Sequence, residues 1–156
     1  QERVGSAWMP TLEAAAAGIA AADFGARGFA LMGISAARMH HVTPRAVGVA
    51  VVAAPRRRKA IELIDRRAAV RFLVRDLEVM DLELMETDLG RCLVTTPEQT
   101  LLDLSHRAGQ RGLTEDVAAA MRALAPLCDP EELAVIAGRQ RLGRALGRLR
   151  REGLVP

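Results

Sequence analysis

Tyrosine is missing from this chain altogether, and its aromatic side chains are confined to Trp8, Phe24, Phe29 and Phe72. That argues against a stacking platform for single-stranded nucleic acid, which needs aromatic faces. Lysine is almost as scarce. Lys59 stands alone among 22 basic residues, so arginine carries the positive charge. With so much alanine, this bias fits GC-rich coding as well as it fits a function. The two cysteines, Cys92 and Cys128, have no metal-ligand spacing and read as small apolar fillers. No apolar run is long enough to span a membrane and no signal peptide is visible, so the expected compartment is the cytoplasm, without membrane contact. Phosphate-cradling glycine loops, a Gly-x-Ser-x-Gly elbow and a carboxylate pair followed by Glu-x-Lys are all lacking. No catalytic residue, cofactor or metal is therefore expected.

What remains is ample for a core. Half of the 156 residues are apolar, which suits one domain built from Ala, Leu, Val, Ile and Met. The net charge of +3 is a mild bias and no nucleic-acid signature by itself. The chain opens on Gln1, which suggests a fragment with an N-terminal part missing.

The spacing predicts an Ala-rich helix over 11–23, with Leu12, Ala16, Ile19 and Ala20 inward, and a short helix from Ser35 to about 41. His40 and His41 are adjacent, so they point about 100° apart on a helix and make a poor metal pair. A helix-end role near the negative dipole end is expected instead. Residues 46–54 form a continuous apolar run suited to a central strand. Further strands are predicted at 61–64, 70–75, 80–87 and 91–95. The fold class is therefore α+β: a mixed, largely antiparallel sheet of about five strands, N-terminal helices and a C-terminal helical bundle, spanning 1–156 as a single domain.

The clearest local signal runs from Arg91 to Ser105. Cys92–Val94 suits a buried strand. Thr96 stands at an N-cap, Pro97 at the first helical position, and Gln99 three residues on completes a capping box whose amide bonds back. Leu101, Leu102, Leu104 and Ala108 give an apolar stripe that Gly109 would end. Thr114 and Asp129 cap two more helices, the second ending at Gly138. A last helix over 139–152 turns Leu142, Ala145, Leu146 and Leu149 inward.

Two basic elements are candidates for nucleic acid: the loop Arg56, Arg57, Arg58, Lys59, and the stripe Arg141, Arg144, Arg148, Arg151. Arginine forks onto phosphate oxygens, and each phosphate neutralised makes binding salt-dependent. Either could instead be a solvated face. Residues 76–88 carry six acids and no base, which suits a charged sheet edge or a surface for a basic partner. Asp103 and His106, three apart on one helix, are the alternative catalytic pair, in a small hydrolase or nuclease-like enzyme; an Asp103–Arg107 ion pair is an equal reading.

Two segments carry a family resemblance: Gly33-x-Ser35-Ala36…His40-x-Val42-Thr43, then Thr96-Pro97-Glu98-Gln99-Thr100-Leu101-Leu102-Asp103-Leu104. In this order and spacing the chain resembles the AbiEi-type antitoxins of type IV toxin–antitoxin systems, over roughly residues 10–150. It departs from the usual pattern at His41, where the family often has Gly. The resemblance implies a C-terminal antitoxin domain that counteracts a nucleotidyltransferase-like toxin, often without a stable complex. An N-terminal winged helix-turn-helix, absent from this chain, would bind operator DNA and repress transcription, and basic patches on the C-terminal domain would help hold that DNA. The family carries no catalytic residues. Ser35, His40, Thr96, Gln99 and Asp103 then read as structural motif residues.

Overall fold

The computed structural model describes residues 9–43 and 48–156. Trp8, Pro44 and the expected strand start at Ala46 lie outside them. Helix α1 (Leu12–Phe24) opens at Thr11, whose hydroxyl accepts from the Ala14 amide at 3.2 Å. Strand β1 (Ala30–Leu31) and helix α2 (Gly33–Met39) follow, then β2 (Val49–Ala54), β3 (Ile61–Leu63), β4 (Ala68–Val74), β5 (Leu82–Thr87) and β6 (Gly90–Thr95). The chain finishes in helices α3 (Pro97–Arg111), α4 (Glu115–Leu124), α5 (Pro130–Gln140) and α6 (Gly143–Arg151), with a tight turn at Ala125–Leu127.

The six strands make one sheet in the order β3-β4-β2-β1-β6-β5. Three neighbouring pairs are antiparallel, while β1–β6 and β2–β4 are parallel. The apolar run 49–54 is central, as its lack of alternation requires. The acidic 82–87 strand is an edge, where half-exposure is tolerable. The sixth strand, absent from the expected count, is β1. Two residues give no alternating pattern to read. Ala30 and Leu31 are nonetheless fully buried and join the two halves of the sheet through β2 and β6.

One face of the sheet packs on α1 through Ala16, Ala20, Phe29, Leu31, Val52, Val70 and Val94. Alanine on α1 lets the helix approach closely. The other face is filled by Ala30, Met32, Ala53 and Met80, the last from the β4–β5 connection. The third cluster is helical: Leu101, Leu102 and Leu104 of α3 meet Met121, Leu124, Leu133, Ile136, Leu146 and Leu149. Removing any one of these leucines to Ala would cost about 2–5 kcal/mol. Across α1 and α2, Glu13 and Arg38 form an ion pair that is almost wholly buried; Arg38 Nε donates to Glu13 Oε2 at 2.6 Å and Nη2 to the Val49 carbonyl at 3.0 Å. No sequence signal announced that pair.

Several helix boundaries differ from expectation. Helix α2 starts two residues before Ser35, which lies in its first turn; the Ser35 hydroxyl accepts from the Val51 amide at 2.8 Å and ties α2 to β2. Helix α3 runs through Gly109 to Arg111 and closes on Gly112, φ 88°; at Gly109 the Arg148 guanidinium lies 2.1 Å from where a Cβ would stand. Helix α5 continues past Gly138 to Gln140 and closes on Arg141 in the left-handed conformation, φ 58°. The last helix therefore begins at Gly143, with Leu142, Ala145, Leu146 and Leu149 buried as expected. Helix α2 closes in the same way on His41, φ 62°, which accounts for glycine elsewhere in the resembling pattern.

Candidate functional site

The polar residues of the second motif each tie α3 to a different element. The Thr96 hydroxyl accepts from the Gln99 amide at 3.3 Å, as a cap should, and donates to the Asp81 carboxylate at 2.7 Å. Thr100 donates to the Thr96 carbonyl at 2.7 Å, which leaves the Thr95 hydroxyl to donate to Thr100, also at 2.7 Å. Glu98 accepts from the Asp129 amide at the start of α5, 2.8 Å. Ser105 donates to the Ala145 carbonyl on α6, 2.8 Å.

Gln99 corrects the capping-box expectation. Its side chain is fully buried and does not bond back to Thr96, whose amide donates instead to the Asp81 carbonyl at 3.1 Å. Gln99 Oε1 accepts from the Asp81 amide at 2.9 Å, which fixes the orientation of its amide. Nε2 then donates to Asp103 Oδ1 at 3.0 Å and to Gln140 Oε1 at 2.9 Å, and Gln140 donates back at 2.6 Å. The competing attraction was tertiary: Asp81 already meets the helix end.

The first motif reaches the same junction. His40 ends α2, and its Nε2–H donates to the Thr95 carbonyl at 2.8 Å. This is a helix-end role, and it joins the two motifs through one hydrogen bond.

Asp103 and His106 line one cleft, but the Asp103 hydrogen bond goes to Gln99, and its Oδ2 is buried without a partner. Burial pushes the Asp103 carboxyl up to about 7, against the weaker pull of the Gln99 hydrogen bond and the Arg75 charge. The expected Asp103–Arg107 ion pair does not form. The thiols are raised too: Cys92 to about 11 by burial, Cys128 to about 12 by burial and then by the Glu98 charge. Both are therefore protonated at neutral pH.

The basic candidates separate. In the loop, Arg56 donates to the Asp23 carbonyl at 3.2 Å and lies 4.6 Å over the Phe24 ring. Arg58 pairs with the Asp23 carboxylate and covers Phe72 at 5.1 Å. These two clamp the end of α1, and Arg57 and Lys59 stay exposed. In the stripe, Arg144 and Arg151 are exposed on α6, Arg148 lies over Gly109 of α3, and Arg141 stands apart in the α5–α6 turn.

A further cationic group escaped sequence reasoning. Arg71 and Arg75 of the β4 region and Arg107 and Arg111 of α3 converge: after burial, the charges of Arg71, Arg111 and Arg75 hold the Arg107 guanidinium below its ordinary value. None of the four has a carboxylate partner among the described residues. Each pair is four apart, so a shared strand face and a shared helix face were legible. That the two faces meet was not. The acids of 76–88 divide likewise: Asp81 belongs to the α3 junction, Asp88 accepts from the Thr11 amide at 3.0 Å, and Glu83 and Glu86 lie on the β5 edge.

Residues 29–151 match the AbiEi antitoxin C-terminal domain. No curated protein matches the chain. Among solved structures the fold is similar to an antigenic nucleotidyltransferase-like protein from Paracoccidioides brasiliensis, at 11% identity over 92% of this chain and 91% of that one, with a TM-score of 0.60. At that identity the likeness is one of fold alone.

Proposed function

Because the chain belongs to the AbiEi antitoxin C-terminal domain family, we propose that it counteracts a nucleotidyltransferase-like toxin in the cytoplasm and assists an operator-binding winged helix-turn-helix domain in holding DNA. The family match carries this reading, since it spans both motifs and the α3 junction that unites them. For DNA, the support is the group Arg71, Arg75, Arg107 and Arg111, continued across Gly109 by Arg148 and along α6 by Arg144 and Arg151. Like charges held together raise one another's free energy, and phosphates relieve it by releasing counterions. On this reading the domain binds and does not catalyse.

The decisive test is co-expression of the chain with a nucleotidyltransferase-like toxin encoded beside its gene. Restored growth supports the reading, and undiminished killing at equal expression removes it. For DNA, operator affinity measured against salt should show a steep slope that Arg107→Glu and Arg144→Glu each reduce by about one to two phosphate contacts.

A further inference from the structure

The β4–β5 connection, the second half of α3 and the turn between α5 and α6 enclose a cleft of about 410 Å³. Arg75, Asp103, His106, Gln110, Gln140 and Arg141 line it, and Asp76 lines it too. We propose that this cleft binds a nucleotide phosphate, either a free mononucleotide or the phosphorylated end of a nucleic-acid strand. Arg75 and Arg141 take the phosphate, and His106 and Gln110 meet the sugar and base.

Four observations carry this. The cleft is small for a macromolecular groove and lies at the lower end of the range for small-molecule sites, so it admits one nucleotide unit and no duplex. Its walls are fixed before any ligand arrives. Gln140 Nε2 and Arg139 Nε donate to the Val79 carbonyl at 2.9 and 3.1 Å, and the paired amides of Gln99 and Gln140 brace the wall from behind. Its cations are not tied up in ion pairs. Neither Arg75 nor Arg141 has a salt-bridge partner among the described residues; Arg75 donates to the Val74 carbonyl at 2.9 Å, and burial pushes the Asp103 carboxyl in the same cleft up to about 7, which weakens its competition for them. Such guanidinium groups suit forked bonds to phosphate oxygens.

The fourth observation is strain. Arg141 holds a left-handed backbone, φ 58°, at a position where glycine would close α5 without cost. A charged side chain kept there points to a use for the charge. It also supplies a clean test, because Arg141→Gly removes the guanidinium while relieving the backbone.

The 156-residue chain is titrated calorimetrically at low salt with the four ribonucleoside monophosphates, and with a short single-stranded RNA carrying or lacking a 5′-phosphate. Saturable binding of a monophosphate, weakened at least about tenfold by Arg75→Ala and by Arg141→Gly and unchanged by His41→Gly, supports the proposal with a free nucleotide as ligand. Tighter binding of the phosphorylated RNA than of its unphosphorylated twin, with the same response to the variants, supports it with a strand end as ligand. Melting of Arg141→Gly at or above the parent temperature shows that a loss is not unfolding. The proposal is overturned by no saturable binding of any monophosphate together with RNA binding indifferent to the terminal phosphate, or by binding that Arg75→Ala and Arg141→Gly leave intact. It does not depend on the antitoxin reading, which the growth assay tests separately.

Discussion

The first half of α3, from Thr96 to Asp103, and its second half, from His106 to Arg111, share one helix and differ in how their polar groups are met. In the first half Thr96, Glu98, Gln99 and Thr100 each bond to a named partner on β5, β6, α5 or the chain just before them. In the second half neither Arg107 nor Arg111 has a salt-bridge partner among the described residues, and Arg107 feels the like charges of Arg71, Arg111 and Arg75. Buried polar groups stay buried at tolerable cost when every donor and acceptor is satisfied. Exposed like charges lower stability and persist where something anionic uses them. The first half thus holds the domain together, and the second is available for binding.

Gln99→Leu should break the first half hardest. It strips partners from the Asp81 amide, Asp103 and Gln140 at once, and should cost about 4 kcal/mol in urea denaturation. A loss near that of an exposed Gln would show the network to be incidental.

Asp103 marks the boundary between the halves, and its titration sharpens the comparison. Its folded pKa, about 7, stands above the ordinary 3.8, so between those values the folded chain binds more protons than the unfolded one. Stability should therefore be fullest below about pH 4 for this group and fall as pH rises through 7, by about 4 kcal/mol in all. Asp103→Asn should flatten that slope and exceed the parent in stability at pH 8. An unchanged pH profile would mean that the carboxyl is ionised in the fold.

The second half should respond in binding and not in stability. Arg107→Glu should weaken operator DNA about tenfold at low salt, or about 1.4 kcal/mol, while leaving the melting temperature equal or higher because repulsion is relieved. A fall in melting temperature with unchanged binding would make the cluster structural. The smallest effect is expected away from both halves. His41→Gly relieves a left-handed backbone on an exposed turn and should stabilise by about 0.5–1 kcal/mol, read in the same denaturation series.

Most of the fold was legible because its signals are local. Thr96-Pro97, Thr114 and Asp129-Pro130 announce helix starts through chemistry confined to a single turn. Val49–Ala54 announces a central strand through its lack of alternation. Other features depended on neighbours. Gly109 has the look of a helix end, but the left-handed glycine that closes α3 is Gly112, and Gln99 has the look of a capping residue, but the Asp81 amide claims its side chain.

By itself the sequence determined the apolar stripes, the caps and the two motifs on which family membership rests, since each is a matter of spacing along one element. Only the tertiary structure decided that Arg107 lies in the field of Arg71, Arg75 and Arg111, that Glu13 is buried with Arg38, and that Arg75 and Arg141 line one cleft. Periodicity says which residues share an element. Which elements share a space is set by the packing of the whole, where long-range burial and charge outweigh local preference.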